Sequence, residues 1–173
     1  MRPFLYCPAC ASRLEDPDAE GTTTCPSCGR DWYQNPAPTV GCLIIQNGRG
    51  LVTVRGRKPH KGRVDLAGGF LRVDEHPIAG LKREVEEELG IEINVSMGDL
   101  VQIVPHQYEE ANGAQWLLSL GFVGRLRSGE PSPADDVADI KWVMGNEVDA
   151  LEWAWPHDRE LARKVLSNEL SGS

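Results

Sequence analysis

At 173 residues the chain has room for one ordinary domain, or for a medium domain with a very small companion. Its 40% hydrophobic and 25% charged residues suit a packed globular fold, and no window reaches the eighteen or more apolar residues of a membrane span. A net charge of -8 argues against a protein that grips a nucleic-acid backbone, which needs clustered Lys and Arg. It leaves room for a small anionic substrate held by metal ions and a local basic patch.

The opening residues, MRPFLYCPAC, lack the apolar stretch of a signal peptide, so the expected compartment is the cytoplasm. Thiols stay reduced there, and paired cysteines serve more often as metal ligands than as disulfides. Cys7, Cys10, Cys25 and Cys28 form two C-P-x-C knuckles separated by fourteen residues. Two such turns bring four thiolates to the tetrahedral sulfur shell that Zn²⁺ favours. Residues 1–36 are therefore expected to form a small zinc ribbon. The segment between the knuckles, ASRLEDPDAEGTTT, is polar and turn-rich, a loop with no core of its own. A structural Zn²⁺ would then supply much of the folding energy. A nucleic-acid-binding ribbon is the competing reading. Arg2, Arg13 and Arg30 against Glu15, Asp16, Asp18, Glu20 and Asp31 leave a net charge of -2, a poor footprint for a polyanion. Stability, homodimer formation or the shaping of a substrate cleft are the favoured roles.

Asn35-Pro36-Ala37-Pro38 reads as a stiff linker into a second domain over residues 37–173. Residues 39–46 read as a buried strand carrying Cys42 as a buried free thiol. Asn47-Gly48-Arg49-Gly50 reads as a hairpin turn and residues 51–55 as the partner strand. Residues 56–63 form a basic loop. Over residues 77–89, Ile78, Leu81, Val85 and Leu89 fall on one helical face, with Pro77 suited to the first turn and Gly90 to the stop. Strands are expected at about 92–108 and 115–126, joined by a turn over residues 109–113, and at 139–143. Pro156 opens a last helix with Leu161, Val165 and Leu166 inward. Strands flanked by helices point to an α/β fold, a mixed sheet with helices on its faces.

The helix at 77–89 carries the chemistry. Glu84, Glu87 and Glu88 sit at i, i+3 and i+4, so three carboxylates crowd one face, with Glu86 nearby. A solvated acidic face would tolerate that arrangement. Here the apolar residues fix which way the carboxylates point, and Arg83 is placed to pair with Glu87 or to reach back to Glu75. Gly68-Gly69 lets the backbone approach a ligand closely. Hard cations such as Mg²⁺ bind where carboxylates meet substrate phosphates.

The stretch from Gly69 to Ile91 resembles the Nudix box, G-x5-E-x7-R-E-U-x-E-E-x-G-U with U aliphatic, and every specified position agrees. Seven fixed positions would match by chance about once in 10⁸ windows at average residue frequencies. The resemblance to this MutT-like family implies an α/β/α sandwich, here preceded by a small β zinc ribbon. It also implies a Mg²⁺ enzyme, with Mn²⁺ as a substitute, that hydrolyses a diphosphate linkage. Glu87 and Glu88 match the principal metal ligands, and Glu84 a further ligand that serves some members as general base. Gly68 matches a position whose carbonyl ligates metal, and Glu75 and Arg83 match residues that support the helix. Asp136, six residues before Trp142, resembles an additional acid that members place ahead of the last strand, although the family's residue is Glu.

Arg55, Arg57, Lys58, Lys61 and Arg63 put five positive charges in nine residues and are placed to hold substrate phosphates, the alternative being a solvated loop. Residues 61–69 resemble the family's K-G-x-W-x-L-P-G-G lead-in, with Val64 and Ala67 in place of Trp and Pro. A ribbon ahead of this domain resembles the NADH pyrophosphatases, as does Trp32-Tyr33-Gln34-Asn35-Pro36. Their S-Q-P-W-P-F-P-x-S array is absent. Tyr108 lies near the spacing of a substrate-contacting tyrosine in diadenosine-polyphosphate hydrolases. Phe70, Trp116, Trp142, Trp153 and Trp155 are core residues or base-stacking platforms, and His60 is the histidine best placed to touch substrate. The resemblance implies a substrate of nucleoside diphosphate linked to another moiety, of ADP-ribose, dinucleotide or NDP-sugar type. The alternatives are a non-catalytic Nudix-fold nucleotide-binding or regulatory protein, and a zinc-ribbon nucleic-acid binder.

Overall fold

The computed structural model describes residues 4–110 and 113–170. The chain divides into two compact units, Met1–Ala37 with Pro105–Leu117, and Pro38–Val104 with Leu118–Ser173. Residues 105–117, expected from their sequence among the strands of the larger domain, group instead with the N-terminal unit.

In the first unit, β1 (Thr22–Thr24) pairs antiparallel with β2 (Asp31–Tyr33), placing Thr23 opposite Trp32. The segment between the knuckles is more than a bare loop. Leu14 is buried with Cys7 and Cys25, and Trp32 packs against that cluster. Asp18 orders the turn before β1, its Oδ1 accepting from the Glu20 and Thr22 N–H groups at 2.9 and 2.8 Å.

The second unit is built on a mixed α/β plan. β3 (Ala37–Gln46) and β4 (Arg49–Arg55) form a hairpin through Asn47-Gly48. Both turn residues have positive φ, 51° and 71°, which matches the right-handed twist of the two strands. The sheet runs β10 (Val137–Val143), β4, β3, β9 (Gly113–Ser128), β7 (Glu92–Asn94). Short β5 (Val64–Asp65) adds to β4, β6 (Ala67–Phe70) to β3, and β8 (Leu100–Glu110) to β9.

The continuous apolar run of β3 has a two-sided use. Val40, Cys42 and Ile44 face a core with Leu81, Val85 and Leu89 of α1 (Pro77–Leu89). Leu43 and Ile45 face a second core with Leu161, Ala162 and Leu166 of α2 (Pro156–Leu170). A period of two in the strand thus feeds a helix on each face of the sheet, the expected α/β/α layering. Cys42 is fully buried, and burial pushes its thiol up to about 12.

Helix α1 begins and ends where its sequence says it should. His76 is the N-cap, its Nδ1 accepting from the Ile78 N–H at 3.2 Å, so this histidine has a structural use. Gly90 closes the helix with φ 65°, its N–H donating to the Glu86 carbonyl at 2.9 Å. Elsewhere β3 takes in the second half of the expected linker. The strand expected near 92–108 is broken by a 3₁₀ turn at Met97–Asp99, where Ser96 and Asp99 make reciprocal side-chain–backbone bonds. Residues 111 and 112, at the centre of the expected turn, lie outside the described residues. No helix among the described residues is long and apolar enough to cross a membrane.

Candidate active site and cysteine cluster

Arg83 organises the acidic face of α1. Its five N–H donors meet five acceptors: Glu75 Oε1 and Oε2 at 2.7 and 2.8 Å, Glu84 Oε1 at 2.6 Å, Glu87 Oε2 at 3.0 Å, and the Phe70 carbonyl at 3.3 Å. The fork on Glu75 is bidentate, and Glu75 Oε2 also accepts from the Arg72 N–H. These bonds, those from Arg83 foremost, hold the Glu75 carboxyl down at about 2.

That depression makes a prediction. A carboxyl lowered in the folded state stabilises the fold above its ordinary value near 4.5, and the contribution is lost as pH falls toward about 2. The melting temperature of Glu75→Gln should therefore fall less steeply between pH 4.5 and 2 than that of the unaltered chain. Parallel curves would show that the Arg83–Glu75 pair contributes nothing to acid stability.

Glu88 differs from its neighbours. It is buried, and its Oε2 accepts from the Gly68 N–H at 2.9 Å. Burial pushes its carboxyl up to about 9 against that hydrogen bond, with repulsion from Asp136, Glu84 and Asp65 adding to the shift. Asp136, singled out in the sequence, thus lies within electrostatic reach of Glu88, and it forms an ion pair with Arg57. Asp65 and Asp158 are acids that sequence reasoning missed. Both are buried, and burial together with the adjoining Asp65 pushes Asp158 well above the usual carboxylate range. No local spacing marks either residue.

Two glycines let this arrangement close. A side chain at Gly68, where φ is 152°, would strike the Val40 carbonyl oxygen, and one at Gly69 would lie 2.7 Å from the Glu84 carboxyl carbon. The helix carboxylates are not drawn onto one point, because Glu84 and Glu87 are turned onto Arg83. Among the described residues, the four cysteines alone form a group of three or more potential ligands whose ligand atoms all lie within 4.8 Å of one another.

Of the expected substrate contacts, Arg57 and Lys61 are exposed. Arg55 is turned inward, pairing with Asp65 at 2.5 Å and donating from Nε to the Pro59 carbonyl at 2.8 Å. Tyr108 is half-buried on β8, in the first unit. Trp153 is buried and donates to the Val148 carbonyl, and Trp142 packs against the α1-side core. Phe70 is exposed beside the acidic face, and Trp155 is half-buried with the His60 ring edge-on at 4.7 Å.

The two cysteine knuckles share one backbone plan. The Cys7 N–H donates to the Ser12 carbonyl and the Cys25 N–H to the Arg30 carbonyl, each at 2.8 Å. Ala11 and Gly29 donate back to Cys7 and Cys25. The Sγ atoms of Cys7 and Cys28 are 3.7 Å apart, and those of Cys10 and Cys25 3.6 Å. A tetrahedral site with Zn–S near 2.3 Å has edges of about 3.8 Å, so these residues fit the metal. Hydrogen bonds from Ser12 lower the Cys10 thiol to about 6, whereas at Cys28 the backbone bond at Arg30 is outweighed by burial and the bonds to the other cysteine thiols, which push the thiol up to about 11.

The family described as NUDIX domain matches residues 35–165, and the chain belongs to it. Over 164 residues the chain is 28% identical to the NAD-capped RNA hydrolase NudC of Pseudomonas aeruginosa, covering 93% of this chain and 54% of that protein. It therefore spans about half the length of that relative. A putative 8-oxo-dGTP diphosphatase 2 of Mycobacterium tuberculosis is 34% identical over 132 residues, covering 73% of this chain and 88% of the relative. Among solved structures, a NUDIX hydrolase from Nitrosomonas europaea superposes with a TM-score of 0.74 at 20% identity, covering 97% of this chain and 93% of its own. That likeness establishes the fold.

Proposed function

We propose that this chain hydrolyses a nucleoside diphosphate linked to a second moiety, of dinucleotide, ADP-ribose or NDP-sugar type, and releases a nucleoside monophosphate. Residues 37–173 would form the catalytic domain and residues 1–36 a zinc ribbon. The observation that carries the reading is the complete Nudix box, with Glu84 and Glu87 held by Arg83 and Glu88 by the Gly68 N–H on one face of α1. Similarity to NudC and to a diphosphatase supports it.

Mg²⁺, with Mn²⁺ as a substitute, would neutralise the diphosphate oxygens and lower the pKa of an attacking water. Glu87 and Glu88 would hold the ion, with Glu84, Asp136 and the Gly68 carbonyl completing its shell. Glu84 is the candidate to take the proton from the water. Of the two Glu84 oxygens, Arg83 donates to Oε1 alone, and Glu75 matters because it occupies two of the Arg83 donors. Phosphates would meet Arg57 and Lys61 on the exposed loop. A reducing cytoplasm suits four thiols kept for metal.

A panel assay tests the reading: purified chain, Mg²⁺, and ADP-ribose, NADH, an NDP-sugar, a dinucleoside polyphosphate and an NTP. Release of a nucleoside monophosphate from one of the first four is expected. Failure to turn over any of them with either Mg²⁺ or Mn²⁺ would leave the non-catalytic alternative standing.

A further inference from the structure

Building on the reading of α1 as the wall of a diphosphate site, we propose that the loop at residues 56–63 binds a second phosphate, carried on the ribose of the substrate's nucleotide, through Lys58, Lys61 and Arg63. The loop is closed at its neck. The Arg55 N–H donates to the Arg63 carbonyl at 3.0 Å, and the Gly62 N–H to the Arg55 carbonyl at 2.8 Å. Within it, the Arg63 N–H donates to the His60 carbonyl at 3.0 Å and Arg55 Nε to the Pro59 carbonyl at 2.8 Å. The guanidinium of Arg55 lies inside, against Asp65 and 5.9 Å from the centre of the Trp155 ring, while the His60 ring meets the same indole edge-on. Arg55 is thus a strut. It fixes the loop instead of offering charge to a ligand.

The charge on offer lies outside. Lys58, Lys61 and Arg63 are exposed and make no ion pair among the described residues, whereas Arg57 is already paired with Asp136. The Gly56 N–H donates to the Asp136 carbonyl at 2.7 Å, and the Ala134 N–H, two residues earlier in that segment, donates to the Glu88 carbonyl at 2.9 Å, so the base of the loop borders the end of α1 that carries Glu88. A diphosphate there has divalent cations to meet its charge. Three uncompensated cations on a braced loop exceed that need, in a chain with a net charge of -8. Lys and Arg favour phosphate oxygens, and a loop ordered beforehand gives up little further entropy on binding one.

Product analogues test this without turnover. Isothermal titration with AMP, adenosine 2′,5′-bisphosphate, adenosine 3′,5′-bisphosphate and the dinucleotide pApA compares ligands that differ in the ribose phosphate. One of the last three should bind about tenfold tighter than AMP, as expected of one or two charge-assisted hydrogen bonds. The preference should shrink with added salt and vanish in Lys61→Ala/Arg63→Ala and in Lys58→Glu. A bisphosphate preference assigns the site to a phosphomonoester, and a pApA preference to an internucleotide linkage. Equal affinities for all four ligands, or a preference that survives both variants, overturns the proposal. Because no hydrolysis is read, a chain that shows the preference yet cleaves no diphosphate would retain this site and lose the catalytic reading. The opposite result would do the reverse.

Discussion

Glu88→Gln is expected to abolish hydrolysis and yet raise the melting temperature of the metal-free protein. Removing a carboxylate proposed to hold the divalent cation should lower kcat by about 10²–10⁴-fold, the scale on which a lost proton-transfer or charge-stabilising group is felt. The stability effect comes from the same side chain. Glu88 is buried, faces Asp136, Glu84 and Asp65, and has its carboxyl pushed up to about 9. For a carboxyl raised in the folded state, the stabilising contribution is complete below the ordinary value near 4.5. It drains away as pH climbs toward about 9. Gln keeps the shape and an oxygen for the Gly68 N–H without the charge. The variant should match the unaltered chain near pH 5 and pull ahead by pH 8. The gain there should be roughly 1–3 kcal/mol, or about 3–9 °C for a chain of this size. Adding Mg²⁺ should reverse the order, since only the unaltered chain gains the ion's binding energy. Glu87 is half-exposed on the same face, so Glu87→Gln should lose activity with little change in stability. A metal-free Glu88→Gln that melts below the unaltered chain at pH 8, or that retains turnover, would contradict this account.

The acidic face was legible because it depends on local periodicity alone. Glu84, Glu87 and Glu88 share a face wherever residues 77–89 are helical, and Pro77 and Gly90 mark that helix without help from distant residues. The pairing of Arg83 with Glu75 was legible for the same reason, since eight residues separate two groups on one loop–helix unit. The two-sided burial of β3 followed from its unbroken apolar run. What escaped depends on partners brought together by the fold. Arg55 counted as one of five loop cations until Asp65, across the β4–β5 pair, turned it inward. Asp158 comes from the start of α2, far along the chain, to share Asp65's burial. Trp32 belongs to the motif at the exit of the ribbon, and nothing local shows that its ring packs against the cluster of Cys7, Leu14 and Cys25. Composition correctly marked the polar stretch between the knuckles as short of core, yet missed that one leucine within it would be buried.

That small core sets the second large effect. Among the described residues, the buried cluster around the knuckles consists, apart from two cysteines, of Leu14 with Trp32 packed on it, and β1 and β2 have three residues each. So little apolar surface cannot offset the entropy of ordering the knuckles, and a zinc ion on the four cysteines is expected to supply the difference. Apparent binding energies of about 10–16 kcal/mol for structural zinc exceed anything this cluster supplies. The isolated protein should therefore carry one zinc per chain, measurable by elemental analysis. Chelation should expose Cys7, Cys10, Cys25 and Cys28 together to a thiol reagent, including Cys7 and Cys25, which are buried in the fold. Cys42 provides the internal control. It lies in the core beneath α1 with its thiol held up at about 12, so it should react only when denaturant opens the second unit. Four thiols released by chelator and a fifth by denaturant is the expected pattern. Cysteines that react one by one without chelation, or a chain that holds no zinc, would mean the ribbon stands on its own packing, which its buried residues are too few to explain.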